Sequence, residues 1–380
     1  RRRKNKIVSL EQEEGIIEGD EKLMEYITKF YKELFGHPEE SSISLREMEM
    51  DKINEQEREE LLTPFSLNEI HQVVFGMKRN KSPGPDGFPA DFYQDFWDLV
   101  KWDLKALVDS FAKGEINIAR LNNGIITLVP KTNDAKQTQK FIPICLLNFS
   151  FKIITKVLMN RLAKCVAPVI SRTQTAFIKG RYIMEGIVIL HEALNSFHKN
   201  KEDALIFKVD FEKAYDKIKW PFVIQMLKMK GFPDKWCDWV METMRGRHVG
   251  VRVNDEIGPY FKTFKGLRQG DAMSPLLFDI AADALAILMN NALKHDLVKG
   301  VLSKGEDKGI NMLQYADDTI FLIKDEVESV KNLKFILGTF EQMSGLKINF
   351  HKSELLLFGK AKEKQRIYQE ILTRKAAINL

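Results

Sequence analysis

The chain has 380 residues, 44% of them apolar, and 58 basic against 53 acidic side chains give it a formal charge of +5. That much apolar content excludes a disordered or fibrous chain and supports a core in two or three connected subdomains, while the mild basic excess permits a nucleic-acid partner without requiring one. Cys145, Cys165 and Cys237 are too few for a disulfide scaffold and too far apart for a C-x-x-C zinc pattern, and no apolar run is expected to reach the roughly 20 residues that span a bilayer, so the expectation is an intracellular protein, nuclear or cytoplasmic, with no membrane partner.

In chain order, Arg1-Arg2-Arg3-Lys4-Asn5-Lys6 reads as a nuclear address, a phosphate-contacting arm or simply a solvated end. The first residue is not Met, which fits a piece cut from a longer polyprotein. Leu23, Tyr26, Ile27, Phe30, Tyr31 and Leu34 fall at helical spacing and predict an amphipathic helix within 7–35. Residues 45–63 are highly charged. Pro64 and Ser66 then open a second helix, with Ser66 as N-cap and Glu69 three positions on completing a capping box, ending near Gly76. Lys81-Ser82-Pro83-Gly84-Pro85-Asp86-Gly87-Phe88-Pro89 packs three prolines and two glycines into nine residues and predicts a shaped loop. Helical patterning resumes over 91–113, and an apolar strand over 124–129 is stopped by Pro130, with Lys131 just beyond it. A further helix is predicted over 151–168.

The chemistry begins at Leu205-Ile206-Phe207-Lys208-Val209-Asp210, a short apolar strand ending on a carboxylate. About a hundred residues later, Met312–Tyr315 and Thr319–Ile323 are strand-like runs separated by Ala316-Asp317-Asp318, which predicts a hairpin with acids at its turn. Aspartate favours tight turns for local reasons, and that is the plain reading of an isolated Y-A-D-D. A third acid at the end of a neighbouring strand changes the weight of it. Carboxylates that converge repel one another unless cations neutralise them, and hard oxygen donors select Mg²⁺ or Mn²⁺. Two such ions about 4 Å apart activate a hydroxyl and stabilise a leaving pyrophosphate. In that scheme Asp210 and Asp317 bridge the metals, Asp318 completes the cluster, and the Phe211 carbonyl adds a ligand.

Phe207-Lys208-Val209-Asp210-Phe211-Glu212-Lys213-Ala214-Tyr215-Asp216, then Gly266-Leu267-Arg268-Gln269-Gly270-Asp271-Ala272-Met273-Ser274-Pro275, then Tyr315-Ala316-Asp317-Asp318 resemble motifs A, B and C of LINE-type non-LTR retrotransposon reverse transcriptases. The 81–89 loop, Leu128-Val129-Pro130-Lys131, Gln174-Thr175-Ala176-Phe177, and Gly345-Leu346-Lys347-Ile348-Asn349 with Lys352 and Ser353 also resemble that family, most closely its plant members, so the likeness covers nearly the whole chain.

The resemblance implies an α+β right-hand polymerase, with a mainly helical N-terminal extension over 1–65, fingers over 66–202, a palm over 203–355, and the start of a thumb or connection over 356–380. It implies an RNA template, a DNA primer and deoxynucleoside triphosphates as partners, with other polyprotein domains missing from this chain. It also implies roles. Tyr215 resembles the aromatic gate against a 2′-hydroxyl, Gln269 and Gly270 the turn beside the nascent base pair, and Lys131 the fingers lysine that meets the triphosphate. Lys352, or else Lys347, is the candidate proton donor to pyrophosphate. Packing, an ordinary turn and solvated lysines are the plainer readings of these same residues. The chain departs from the family at Ile142-Pro143-Ile144-Cys145, where Arg-Pro-Ile-Ser is usual, and in Asp271-Ala272-Met273, where Asp-Pro-Leu is usual. Two other functions remain open at this level: a catalytically weak nucleic-acid-binding remnant, and a two-metal nuclease.

Overall fold

A computed structural model describes residues 6–12, 15–37, 45, 48–302 and 308–373. The basic arm up to Asn5 and the last residues of the expected thumb lie outside them. The chain divides into two compact, interleaved units. The first comprises 1–39, 55–162 and 233–274, and the second 40–54, 163–232 and 275–380.

The first unit opens on a hairpin rather than on the helix expected from residue 7. Strands β1 (Ser9–Gln12) and β2 (Gly15–Glu18) pair antiparallel, and α1 (Asp20–Phe35) follows only after Gly19. Gly15 and Gly19 have φ of 131° and 93°, a region that favours glycine, so the helical periodicity takes hold only beyond them. Helix α1 buries Leu23, Ile27, Tyr31 and Phe35, a stripe at every fourth residue. Helices α2 (Glu55–Leu62) and α3 (Leu67–Gly76) come next, and α3 carries the predicted capping box: the Ser66 hydroxyl accepts from the Glu69 N–H while the Glu69 carboxylate accepts from the Ser66 N–H. The helical run over 91–113 is divided at Phe96 into α4 (Ala90–Asp95) and α5 (Trp97–Lys113).

Strands β3 (Asn123–Pro130) and β4 (Phe141–Leu147) pair antiparallel and lead into α6 (Phe149–Cys165). The 81–89 loop forms neither helix nor strand, and a Cβ at Gly84 would sit 2.3 Å from the Leu147 carbonyl carbon, so glycine there permits a close backbone approach.

The second unit holds the other half of the chemistry-bearing sequence. Helix α7 (Ile183–Asn200) precedes β5 (Ala204–Val209), a strand buried at every position except Lys208. After the short α8 (Ala214–Lys217) and α9 (Trp220–Met229), the chain returns to the first unit for α10 (Asp234–Met244) and for β6 (His248–Val253), β7 (Glu256–Ile257) and β8 (Phe261–Lys262). The first unit's larger sheet has the order β4-β3-β6-β7, with β8 also on β6 and only the β3–β6 pair parallel.

Helix α11 (Ser274–Lys294) crosses into the second unit, followed by β9 (Met312–Tyr315), β10 (Asp318–Lys324), α12 (Val327–Ser344), β11 (Glu354–Phe358) and α13 (Gln365–Thr373). By length and composition α11 is apolar enough to cross a membrane, which corrects the expectation that no segment is. It is nonetheless 78% buried inside the protein over its most apolar window, the pattern of a core helix.

The second unit's sheet has the order β11-β5-β10-β9, antiparallel throughout. One face of it packs on α7, where Ala193 and Phe197 meet Ala204, Ile206, Leu313 and Leu322. Each buried leucine, isoleucine or phenylalanine among them is worth about 1.5–3 kcal/mol, which fixes the register that carries the acids.

Candidate active site

Asp210 follows directly on β5, and Asp318 is the first residue of β10. Thr319 pairs with Val209 across these strands, so continuing the register by one step sets Asp318 level with Asp210. Tyr315 pairs with Asp318 in turn, which leaves Ala316 and Asp317 as a two-residue hairpin turn. The predicted acidic hairpin is present. Ala316 has φ of 55°, at the first central position, where such turns normally place glycine. Asp317 and Asp318 are exposed and Asp210 is half-buried.

Asp210 is held through its backbone by the segment after α12. Its N–H donates to Ser353 Oγ at 3.2 Å, and its carbonyl accepts from the Asn349 N–H at 2.7 Å. Phe211 bridges Ile348, and the Glu212 N–H donates to the Lys347 carbonyl at 2.8 Å. The Gly345–Ser353 sequence therefore serves as a backbone splint for the strand end, a role its side-chain composition does not announce. Lys347 and Lys352 are both exposed. The Phe211 ring is buried, 6.1 Å from that of Phe340.

Carboxylate oxygens are the donors that Mg²⁺ or Mn²⁺ takes, and these three stand at two neighbouring strand ends, so the donor chemistry and the backbone placement fit a divalent ion. The side chains are not gathered about a point: among the described residues no three His, Cys, Asp or Glu side chains form a metal-holding group. Opposed residues of an antiparallel pair lie about 5 Å apart at Cα, within reach of side-chain rotation alone.

Tyr215, on α8, stacks on Phe278 of α11 at 4.5 Å between centroids and 12° between planes. Burial, with the nearby charges of Asp279 and Asp317, pushes its phenol well above the usual value, so the ring is neutral at any working pH and stands in the field of the acidic turn. Beneath it lies a residue that the sequence reading missed. Asp279 is fully buried, and neither carboxylate oxygen has a hydrogen-bond partner among the described residues. Burial pushes its carboxyl up to about 8, against the pull of the Arg181 guanidinium and with Asp283 adding to the rise. One acid on an apolar helix face gave no signal in the sequence.

Lys131, Gln269 and Gly270 belong to the first unit. Lys131 is exposed just past β3, its N–H donating to the Lys140 carbonyl at 2.9 Å. The Gln269 carbonyl accepts from the Cys145 N–H at 2.8 Å, and Gly270 has φ of 115° with its would-be Cβ 2.6 Å from the Cys145 carbonyl oxygen. The backbone that Gly270 lets approach closely is therefore that of β4. Asp271 accepts from the Met273 N–H at 3.2 Å and pairs with Arg268 at 3.3 Å, which closes a local turn just ahead of α11. Ile142 sits in β4 opposite Val129.

A cleft of about 430 Å³ in this unit is lined by Lys81, Ser82, Pro83, Lys152, Lys156 and Gly270, among others. Burial holds the Lys152 and Lys156 ammonium groups below their usual value. The two lysines stand at i and i+4 on α6, a spacing that was visible in the sequence but had nothing to attach to before the loop was placed beside it.

Residues 129–371, well over half of the chain, match the family described as reverse transcriptase (RNA-dependent DNA polymerase). A transposon TX1 protein of 149 kDa from Xenopus laevis is 27% identical over 94% of the chain and 27% of its own length. The Pol polyprotein of the type-2 retrotransposable element R2DM from Drosophila melanogaster is 24% identical over 88% of the chain and 30% of its own length. The chain thus spans less than a third of these relatives. Among solved structures, an apo telomerase from Candida Tropicalis aligns with a TM-score of 0.45 and 17% identity over 71% of this chain and 56% of that one, too slight a likeness to add to the assignment.

Proposed function

Because the chain belongs to the reverse transcriptase family, the RNA-dependent DNA polymerases, we propose that it is the RNA-directed DNA polymerase portion of a larger non-LTR retrotransposon protein, extending a primer 3′-hydroxyl with deoxynucleoside triphosphates on an RNA template. The observation that carries this reading is the register that sets Asp210, at the end of β5, level with the Asp317–Asp318 turn. When bound, a pair of Mg²⁺ or Mn²⁺ ions held by Asp210, Asp317, Asp318 and the Phe211 carbonyl would supply hydroxyl activation and neutralise charge on the departing pyrophosphate.

The remaining work falls to the chain's own groups. Tyr215 presents a neutral ring braced on Phe278, a shape that excludes a ribose 2′-hydroxyl without any titrating group. Lys131 offers a point charge on a flexible stem to the triphosphate, and Gln269 with Gly270 presents backbone beside the base pair. Lys352, exposed after the Asn349 turn, is the proton donor to pyrophosphate in this reading, ahead of Lys347.

Ile142 favours a second reading, a remnant that binds template and primer but turns over poorly. A missing guanidinium at the triphosphate costs about 1.5–3 kcal/mol, or roughly 10–100-fold. Primer extension on an RNA template separates the two. The chain is expected to extend, Ile142→Arg to improve it by about 10-fold or more, and Asp317→Asn to abolish it. Tight template binding with no extension by any of the three would replace polymerisation with the remnant reading.

A further inference from the structure

We propose that Gln174 is the positioning residue of the acidic turn, its side-chain amide clamping Ala316 so that Asp317 and Asp318 are presented in one fixed orientation. This deepens the polymerase reading and rests on it for its catalytic consequence. The segment Gln174-Thr175-Ala176-Phe177 had drawn attention in the sequence without acquiring a task, and the second unit supplies one.

Gln174 is fully buried. Its Oε1 accepts from the Ala316 N–H at 2.9 Å and from the Ala176 N–H at 3.0 Å, while its Nε2 donates to the Ala316 carbonyl at 3.3 Å. The two N–H groups fix which end of the amide carries oxygen, so the nitrogen necessarily faces the carbonyl. Of the side chains with this shape, only a primary amide both accepts from and donates to the same residue: an ionised glutamate has no donor, and methionine has neither function. The backbone reinforces the clamp. The Gln314 N–H donates to the Thr173 carbonyl at 2.9 Å and the Thr175 N–H to the Gln314 carbonyl at 3.1 Å, so 173–175 runs as a short parallel partner beside β9. The Arg181 guanidinium donates to the carbonyls of Ala167, Ile170, Ser171 and Gln174, which fastens the clamping segment itself.

The residue being clamped is the one that needs it. Ala316 holds φ of 55° at a hairpin position that glycine fills at no steric cost, so without external contacts the turn would relax toward other backbone conformations and carry the two aspartates with it. Gln174 opposes that relaxation from both sides of the residue, without touching the reacting atoms.

The test compares the chain with Gln174→Met, which keeps the packing volume and loses all three hydrogen bonds, with Gln174→Glu, and with the double variant Gln174→Met/Ala316→Gly. The first readout, without nucleic acid or metal, is amide hydrogen exchange across Met312–Thr319, where the Ala316 amide is expected to exchange at least about tenfold faster in Gln174→Met. The second is steady-state primer extension. Here kcat is expected to fall at least about tenfold in both single variants, with the KM for deoxynucleotides within about threefold, and Ala316→Gly is expected to recover a third or more of the loss by removing the backbone strain. Unchanged exchange at Ala316 in Gln174→Met overturns the clamp, whether or not the parent polymerises. Faster exchange with kcat within twofold of the parent, or no recovery from Ala316→Gly, overturns its role in positioning the acids. A parent chain that shows the exchange change but no extension leaves the clamp standing and overturns the polymerase reading instead.

Discussion

A carboxyl sealed from solvent with no donor at either oxygen is costly in its charged form, and among the described residues Asp279 is in that position beside the Tyr215–Phe278 stack. Its native carboxyl titrates near 8, whereas an unfolded aspartate titrates near 3.9. Between those values the native state binds more protons than the unfolded state, so stability falls as pH rises through the window from about 4 to about 8. Of the charged groups facing it, Arg181 tempers the effect and Asp283 adds to it, so the direction stands. Asp279→Asn, which resembles the protonated acid, is expected to melt close to the parent at about pH 4, to pull ahead as pH rises, and to melt at least about 2 °C above it at pH 9. Thermal scans across that range measure this directly. A parent curve flat from pH 4 to 9 would mean that the carboxyl finds a partner in solution.

The α3 capping box shows a local motif recruited into a longer-range contact. Glu69 closes the N-terminus of α3 and also receives the Arg161 guanidinium, 2.9 Å from Nε to Oε1 and 3.0 Å from Nη2 to Oε2. Arg161, from α6, is buried, lies 4.0 Å over the Phe65 ring, and donates to the carbonyls of Leu61, Thr63 and Pro64. Ser66→Ala is expected to cost about 1 kcal/mol, the ordinary worth of a cap. Glu69→Ala is expected to cost about 2–3 kcal/mol, below the range of a fully buried pair because its carboxylate is 31% exposed and Arg161 keeps three carbonyls. Urea titrations of the two variants test the difference, and equal costs would reduce Glu69 to a cap alone.

Elements such as α3 and the β9–β10 hairpin were legible because their signals lie within ten residues of each other. The N-terminal hairpin was not, because apolar spacing alone cannot place a helix start when Gly15 and Gly19 take positive φ. The break between α4 and α5 was missed for the same kind of reason, being set by the backbone at Phe96 rather than by any change in apolar pattern.

For the molecule as a whole, a formal charge of +5 is too small to decide binding, so affinity for a nucleic-acid backbone depends on where the lysines collect. The cleft beside the 81–89 loop gathers Lys81, Lys152 and Lys156. If these meet phosphates, replacing Lys152 and Lys156 with serine should lower the slope of log affinity against log salt by about 0.7–0.9 per lysine, measured by fluorescence anisotropy on an RNA–DNA primer-template. An unchanged slope would assign both lysines to the fold.

The sequence by itself determined which acids there are, that one ends a buried strand, and that two adjacent ones lie at a hairpin between strands, because strand periodicity and turn composition are local properties. Tertiary structure decided the rest, since pairing partners and burial depend on residues far away in the chain. It set Asp318 level with Asp210 through the β5–β10 register and splinted Asp210 with Asn349 and Ser353. It buried Asp279 with no donor among the described residues and brought Gln174 onto Ala316 across 142 residues of chain. No periodicity in the sequence encodes those contacts, because each depends on how the backbone closes around two residues that are strangers along the chain.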